Sequence, residues 1–224
     1  LNVQAEDILT VNAAGYYELG SADDMLAFAQ KVNAGEKELN AVLTNDIDMA
    51  GKTWTPITEY AGTFDGQNHK IKNLTFDSTD QNQGIFGTNI GTIENIADIT
   101  GTYTENHANI GGLTAINKGK VVNCHSSVKI ICNKNGGYVG GVVGYNITDT
   151  ALVEKCSFEG TITIPADSTV SSAYIGGVGG RQRTGKPYII GCVNRGTIMN
   201  ENSKWMYIGG IAGYADGGLS LIRI

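Results

Sequence analysis

A chain of 224 residues with 31 glycines, 3 prolines, 41% hydrophobic residues and a formal charge of −6 is long enough for one sizeable core or a repeat array, and is neither collagen-like nor disordered. It has no Lys/Arg-rich run to concentrate a positive field, which argues against nucleic acid and anionic membrane surfaces as partners. No apolar stretch approaches the roughly 18 residues of a membrane-crossing helix, so helical membrane insertion is not expected.

In chain order, Ser21 is a favourable N-cap and Asp24 lies in the first turn, where its charge suits the helix dipole. Ala22, Met25, Leu26, Ala29 and Val32 share one face, and Asn33-Ala34-Gly35 stops the run, which predicts a helix over about 22–33. An apolar helix face needs a partner, and the open end of a strand array offers one in its unpaired groups and apolar cross-section. Residues 1–49 therefore read as an N-terminal cap, with a strand from Ala41 to Asp48 opening the first coil. Residues 50–224 read as the array, within one structural domain.

The array is legible as a repeat. Gly84-Ile85-Phe86-Gly87, Gly112-Leu113-Thr114-Ala115, Gly141-Val142-Val143-Gly144, Gly177-Val178-Gly179-Gly180 and Gly210-Ile211-Ala212-Gly213 have leading glycines 28, 29, 36 and 33 residues apart, the spacing of a solenoid or propeller. Ile96, Cys124, Cys156 and Cys192 follow the first four at 12, 12, 15 and 15 residues, and Leu74 reads as the same position one coil earlier. Stacked coils would put these residues in one inward column, about 4.8 Å apart. Asn73, Asn95 and Asn123 precede its first rungs as a candidate hydrogen-bonded corner, which Lys155 and Gly191 interrupt.

Strand alternation turns Ile110, Val139, Ile175 and Ile208 inward and their predecessors Asn109, Tyr138, Tyr174 and Tyr207 outward. The ladder Tyr138, Tyr174, Tyr207 is the candidate ligand-binding site. A row of aromatic rings bearing hydroxyls can stack on sugars, and it can also simply stabilise a parallel sheet. At the C-terminus, Leu219-Ser220-Leu221-Ile222-Arg223-Ile224 alternates like a strand with no cap, which suggests an incomplete last coil and end-to-end self-association through it.

Other chemistry is thin. Three cysteines fall in the inward column, where parallel Cβ vectors keep neighbours beyond disulfide reach, so buried free thiols are expected. The fourth, Cys132, has no assigned place. No CxxC occurs, and His69, His107 and His125 lack metal-ligand spacing. Asp46, Asp48, Asp65, Asp77 and Asp80 suit turns better than calcium loops. Of the Asn-Thr-Asp, Asp-Asp, Gly-His-Gly and Arg-Ile-Lys order of β-helical polysaccharide hydrolases, only Asp23-Asp24 occurs, out of place. Arg181, Arg183 and Lys186 share one loop without an acidic cluster for a lyase. No catalytic residue, metal site or cofactor is assigned.

Tyr17-Glu18-Leu19, Asn45-Asp46-Ile47-Asp48-Met49, Trp54-Thr55-Pro56-Ile57, Gly62-Thr63-Phe64-Asp65-Gly66 and Ile71-Lys72-Asn73-Leu74, followed by the glycine repeats, resemble secreted and cell-surface bacterial proteins carrying the GLUG motif. The resemblance implies an all-β, right-handed parallel β-helix (a pectin-lyase-like solenoid), export, and a place in adhesins or large surface proteins. It supplies no catalytic residues. The expectation is a non-enzymatic extracellular surface module, secreted or surface-attached, that meets a glycan or a host or bacterial surface protein. A β-helical carbohydrate-active enzyme and a structural spacer are the alternatives.

Overall fold

The structure, a computed structural model, describes residues 9–76, 82–105, 109–133, 137–183 and 188–216. The fold is all-β, built of parallel ladders, with one short helix. The strands form five sheets: four are visited in rotation, and a short fifth stacks His125–Ser126, Ser157–Phe158 and Val193–Asn194 between the first and second. The first runs from Tyr17–Leu19 through Ala41–Leu43, Thr63–Asp65, Thr92–Glu94, Lys120–Val122 and Leu152–Glu154 to Tyr188–Ile190. The second includes Lys70–Leu74, Asp98–Glu105, Lys129–Cys132, Thr161–Ile164 and Thr197–Asn200. The third stacks Asn109–Gly111, Tyr138–Gly140, Tyr174–Gly176 and Tyr207–Gly209, and the fourth Thr114–Asn117, Val143–Asn146, Gly179–Gln182 and Ala212–Ala215. Because each sheet's strand order is chain order, every coil lies on the one before it.

Strand alternation explains the core. Phe64, Ile93, Val121, Val153 and Ile189 stand in register and are buried, as are Ile110, Val139 and Ile175. Ile208 continues the second series but is half-exposed, since it belongs to the last described coil.

The paired glycines are required by close approach. A Cβ at Gly140 would overlap the Val143 carbonyl, and one at Gly141 would overlap the Phe158 ring and the Gly177 carbonyl oxygen of the next coil. Gly112 meets Gly141, and Gly177 meets Gly210, in the same way. The glycine column is thus the corner where the third sheet turns into the fourth.

The helix spans Ala22–Asn33, as predicted, with Ser21 accepting the Asp24 amide at 3.1 Å and Asp24 accepting the Gly20 amide at 3.0 Å. Its buried face is Met25, Phe28, Ala29 and Val32. Phe28 is the residue missed from the periodicity; its ring packs against Tyr17, Tyr60 and Phe64. The predicted strand Ala41 to Asp48 is two strands, Ala41–Leu43 and Ile47–Asp48, divided by a corner between the first and second sheets.

The inward column holds for Ile96, Cys124, Cys156 and Cys192, all buried. The residues before them, Asn95, Asn123, Lys155 and Gly191, share left-handed φ values of 56°, 52°, 53° and 60°. The corner is therefore a backbone conformation that Asn and Gly adopt readily and Lys155 adopts at some cost. Asn123 donates to Asn95 at 3.0 Å, and Asn95 to Asp65 at 3.1 Å. Leu74 is not the preceding rung: it pairs with Gly101 in the second sheet, and Gly66 occupies the place beneath Ile96. Ile71-Lys72-Asn73-Leu74 repeats the pattern of Ile93-Glu94-Asn95-Ile96, and Asn73 is left-handed as Asn95 is, but it lies one sheet further along the coil.

All four cysteines are free and buried. Cys132 lies inward at the end of Lys129–Cys132, with its carbonyl accepting the Ser168 hydroxyl. Burial pushes the Cys156 thiol well above the ordinary range, so the nucleophilic thiolate is suppressed. We expect a thiol reagent such as DTNB to leave the native protein essentially unlabelled and to label all four cysteines after unfolding. Rapid native labelling of Cys156 would contradict its place in the column.

A second internal ladder consists of amides. Asn89 donates to Asn117 at 2.9 Å, Asn117 to Asn146 at 2.8 Å and Asn146 to Gln182 at 3.0 Å, all buried. Asn117 also donates to the Gly119 and Leu152 carbonyls, and Asn146 to that of Tyr188. Tyr60 lies in register below the ladder and Ala215 above it. These amides bind each coil to its neighbours at the corner between the fourth and first sheets.

Candidate functional site

Tyr138, Tyr174 and Tyr207 stand in register in the third sheet, as the alternation predicts. Their rings lie 5.6 and 4.9 Å apart, and the Tyr174 and Tyr207 planes are nearly parallel at 15°. Tyr207 is 53% exposed, whereas Tyr138 and Tyr174 are partly buried. The rings therefore stack on one another, so the middle ring offers solvent its edge and hydroxyl more than its faces.

A second outward column runs beside the first in the fourth sheet, with Tyr145, Arg181 and Tyr214 in register. Tyr145 packs on Tyr138 at 4.6 Å, and Tyr214 on Tyr174 at 5.0 Å and Tyr207 at 5.5 Å. The Arg181 guanidinium carbon lies 5.1 Å from the Tyr138 ring centre, 5.2 Å from Tyr145 and 5.9 Å from both Tyr174 and Tyr214. These are cation–π distances. Arg181 also donates to the Tyr138 hydroxyl and, through Nε at 3.1 Å and Nη2 at 2.6 Å, to one Asp216 carboxylate oxygen. Burial opposes its charge, but Asp216 and Tyr138 outweigh that and hold its pKa above the ordinary value.

The patch thus comprises five tyrosines, one guanidinium and one carboxylate. Tyr145, Arg181, Tyr214 and Asp216 were not assigned from the sequence, although a signal existed: the second column lies seven residues after the first at each coil, at 145, 181 and 214. That offset carries the chain around the glycine corner onto the neighbouring face. Arg183, two residues beyond Arg181, is exposed.

The remaining candidates are dispersed. Asp46 pairs with Lys72 at 2.9 Å and accepts the Lys70 amide; these contacts hold its carboxyl at about 2. Asp48 and Asp65 each accept an amide two residues on and an asparagine side chain from the next coil. These are turn and corner duties. His69 faces Asp46 at 3.5 Å. His125 Nδ1 meets Ser157 Oγ at 2.7 Å, a cross-strand pair in register, with no carboxylate partner for His125 among the described residues. Asp77, Asp80, His107, Lys186 and the strand-like stretch from Leu219 to Ile224 lie outside the described residues. Among the described residues, no three or more His, Cys, Asp and Glu side chains gather as a metal site would require, and no helix is long and apolar enough to cross a membrane.

No curated protein matches the chain. A solved Bacteroides ovatus structure, described as that of a "putative immunoglobulin A1 protease", is similar at 16% identity with a TM-score of 0.56, covering 92% of this chain and 85% of that one. At that identity the likeness is one of fold. The GLUG motif matches residues 135–163, which hold Tyr138 and Tyr145 of the patch, so the chain carries a GLUG motif within an all-β fold of parallel strands.

Proposed function

We propose that the chain is a right-handed parallel β-helix with residues 1–49 as its cap, acting as a non-enzymatic extracellular module of a bacterial surface protein that binds glycans through the tyrosine–arginine patch. Right-handed crossovers are the rule for parallel strands joined within a sheet, and the GLUG motif supports a bacterial extracellular setting. The observation that carries the binding reading is the pairing of two outward columns, Tyr138–Tyr174–Tyr207 and Tyr145–Arg181–Tyr214, on adjacent sheets. Ring edges and hydroxyls recur about one coil apart, and the Arg181–Asp216 pair places charged donors and acceptors beside them.

A glycan array followed by titration of the best ligand tests this. Tyr207→Ala and Tyr174→Ala, folded by circular dichroism, should each weaken binding about tenfold, equivalent to ~1.4 kcal/mol. Unchanged binding in both would remove the patch from consideration. Binding of a surface protein with no array signal would favour a protein ligand. Turnover of a polysaccharide panel would favour the alternative of a carbohydrate-active enzyme.

A further inference from the structure

We infer that the patch selects glycans bearing a carboxylate, with Arg183 as the guanidinium that receives it and Asp216 standing at Arg181 where a second ligand carboxylate would bind; the inference rests on the glycan reading above. Four arginines occur in the whole chain, and two of them, Arg181 and Arg183, lie at this one strand end. They flank the inward-facing, buried Gln182, so strand alternation sends both to the outer face. Arg181 is satisfied by Asp216 and the Tyr138 hydroxyl. Arg183 is exposed and, among the described residues, has no ion-pair partner.

Among the described residues of the patch and its strand end, two guanidinium groups stand with one carboxylate, that of Asp216, a local excess of positive charge in a chain whose net charge is −6. That excess reaches the rings: burial raises the Tyr145 phenol pKa, while Arg181 and Arg183 both pull against the rise. A guanidinium fork fits a planar carboxylate through paired N–H donors, and its weak hydration lets it exchange water for such a partner. Asp216 shows that a carboxylate is accepted beside the rings: Nε and Nη2 of Arg181 both donate to one of its oxygens. Beside these groups the hydroxyls of Tyr174, Tyr207 and Tyr214 supply neutral donors and acceptors of the kind sugar hydroxyls require. A sugar acid presents both chemistries at once, a carboxylate for Arg183 and hydroxyls for the tyrosines.

The test is calorimetric or NMR titration of the full chain at fixed ionic strength with four probes: oligogalacturonate and its neutral counterpart oligogalactose, and sialyllactose and its neutral counterpart lactose. At least one acidic member should bind about tenfold more tightly than its neutral partner, and which pair shows the gap identifies uronate or sialate as the source. Arg183→Gln should abolish the gap, and Arg183→Lys should restore only part of it. Asp216→Asn should tighten acidic binding severalfold by releasing Arg181, an effect that a merely structural Asp216 would not produce. Equal binding of acidic and neutral members, or a gap that survives Arg183→Gln in a folded variant, would overturn the inference and leave the glycan reading intact. Binding of none of the four by a folded protein that also fails the array would overturn both.

Discussion

Gly141→Ala should destabilise the protein by about 3 kcal/mol or more, because the added Cβ would overlap the Phe158 ring and the backbone carbonyl of Gly177, and backbone cannot rotate away as a side chain can. Overpacking of a tight core site usually costs ~1–3 kcal/mol, and this contact lies at the upper end because the one added atom meets an aromatic ring and the backbone of the next coil together. Gly210→Ala is the internal control: among the described residues nothing lies within 4 Å of its added Cβ, so its effect should stay within about 0.5 kcal/mol. In thermal melts the first variant should lose roughly 6–12 °C and the second almost nothing. Equal melting of the two would mean that the glycine column is not where coils make contact.

Asn117→Leu should cost about 3 kcal/mol despite its nearly conserved volume. The amide of Asn117 receives Asn89 and donates to Asn146 and to the carbonyls of Gly119 and Leu152. Leucine would leave the Asn146 side-chain oxygen and those carbonyls short of donors in a site closed to water, and each buried orphan costs ~1–3 kcal/mol. Some relaxation will recover part of that sum, since Asn89 keeps the Gly91 and Lys120 carbonyls as acceptors. Urea titration measures the effect directly. A loss under about 1 kcal/mol would show that the ladder is dispensable and that apolar stacking alone fixes the order of coils.

Much of this architecture was legible because its causes are local. The paired glycines between the third and fourth sheets leave no room for a Cβ, so their recurrence marks successive coils; Ser21, Asp24 and Gly35 likewise delimit a helix by capping chemistry. The amide ladder escaped although its spacing is as regular. Asn89, Asn117, Asn146 and Gln182 each stand five residues after a leading glycine, yet Asn is an ordinary loop residue, and only burial reveals that these point inward. Leu74 was assigned to the wrong sheet because Ile71-Lys72-Asn73-Leu74 looks like Ile93-Glu94-Asn95-Ile96 and shares its left-handed Asn. For the site, one column of tyrosines was visible as a run of Tyr-aliphatic-Gly-Gly. The second column depends on how far the chain travels around the glycine corner, a length in space rather than a pattern of residue types. Arg181 compounds this, since it replaces the tyrosine of the middle coil and is recognisable as a site residue only beside the rings that surround it.

Side-chain NOE spectroscopy of the tyrosine rings reads out whether coils stack in the register that assembles the patch. Ring-to-ring cross-peaks should link Tyr138 to Tyr174 and Tyr174 to Tyr207, with the Arg181 side chain joined to Tyr145 and Tyr214. Tyrosine signals that show only contacts to sequence neighbours, or that pair in another order, would contradict the register and with it the site.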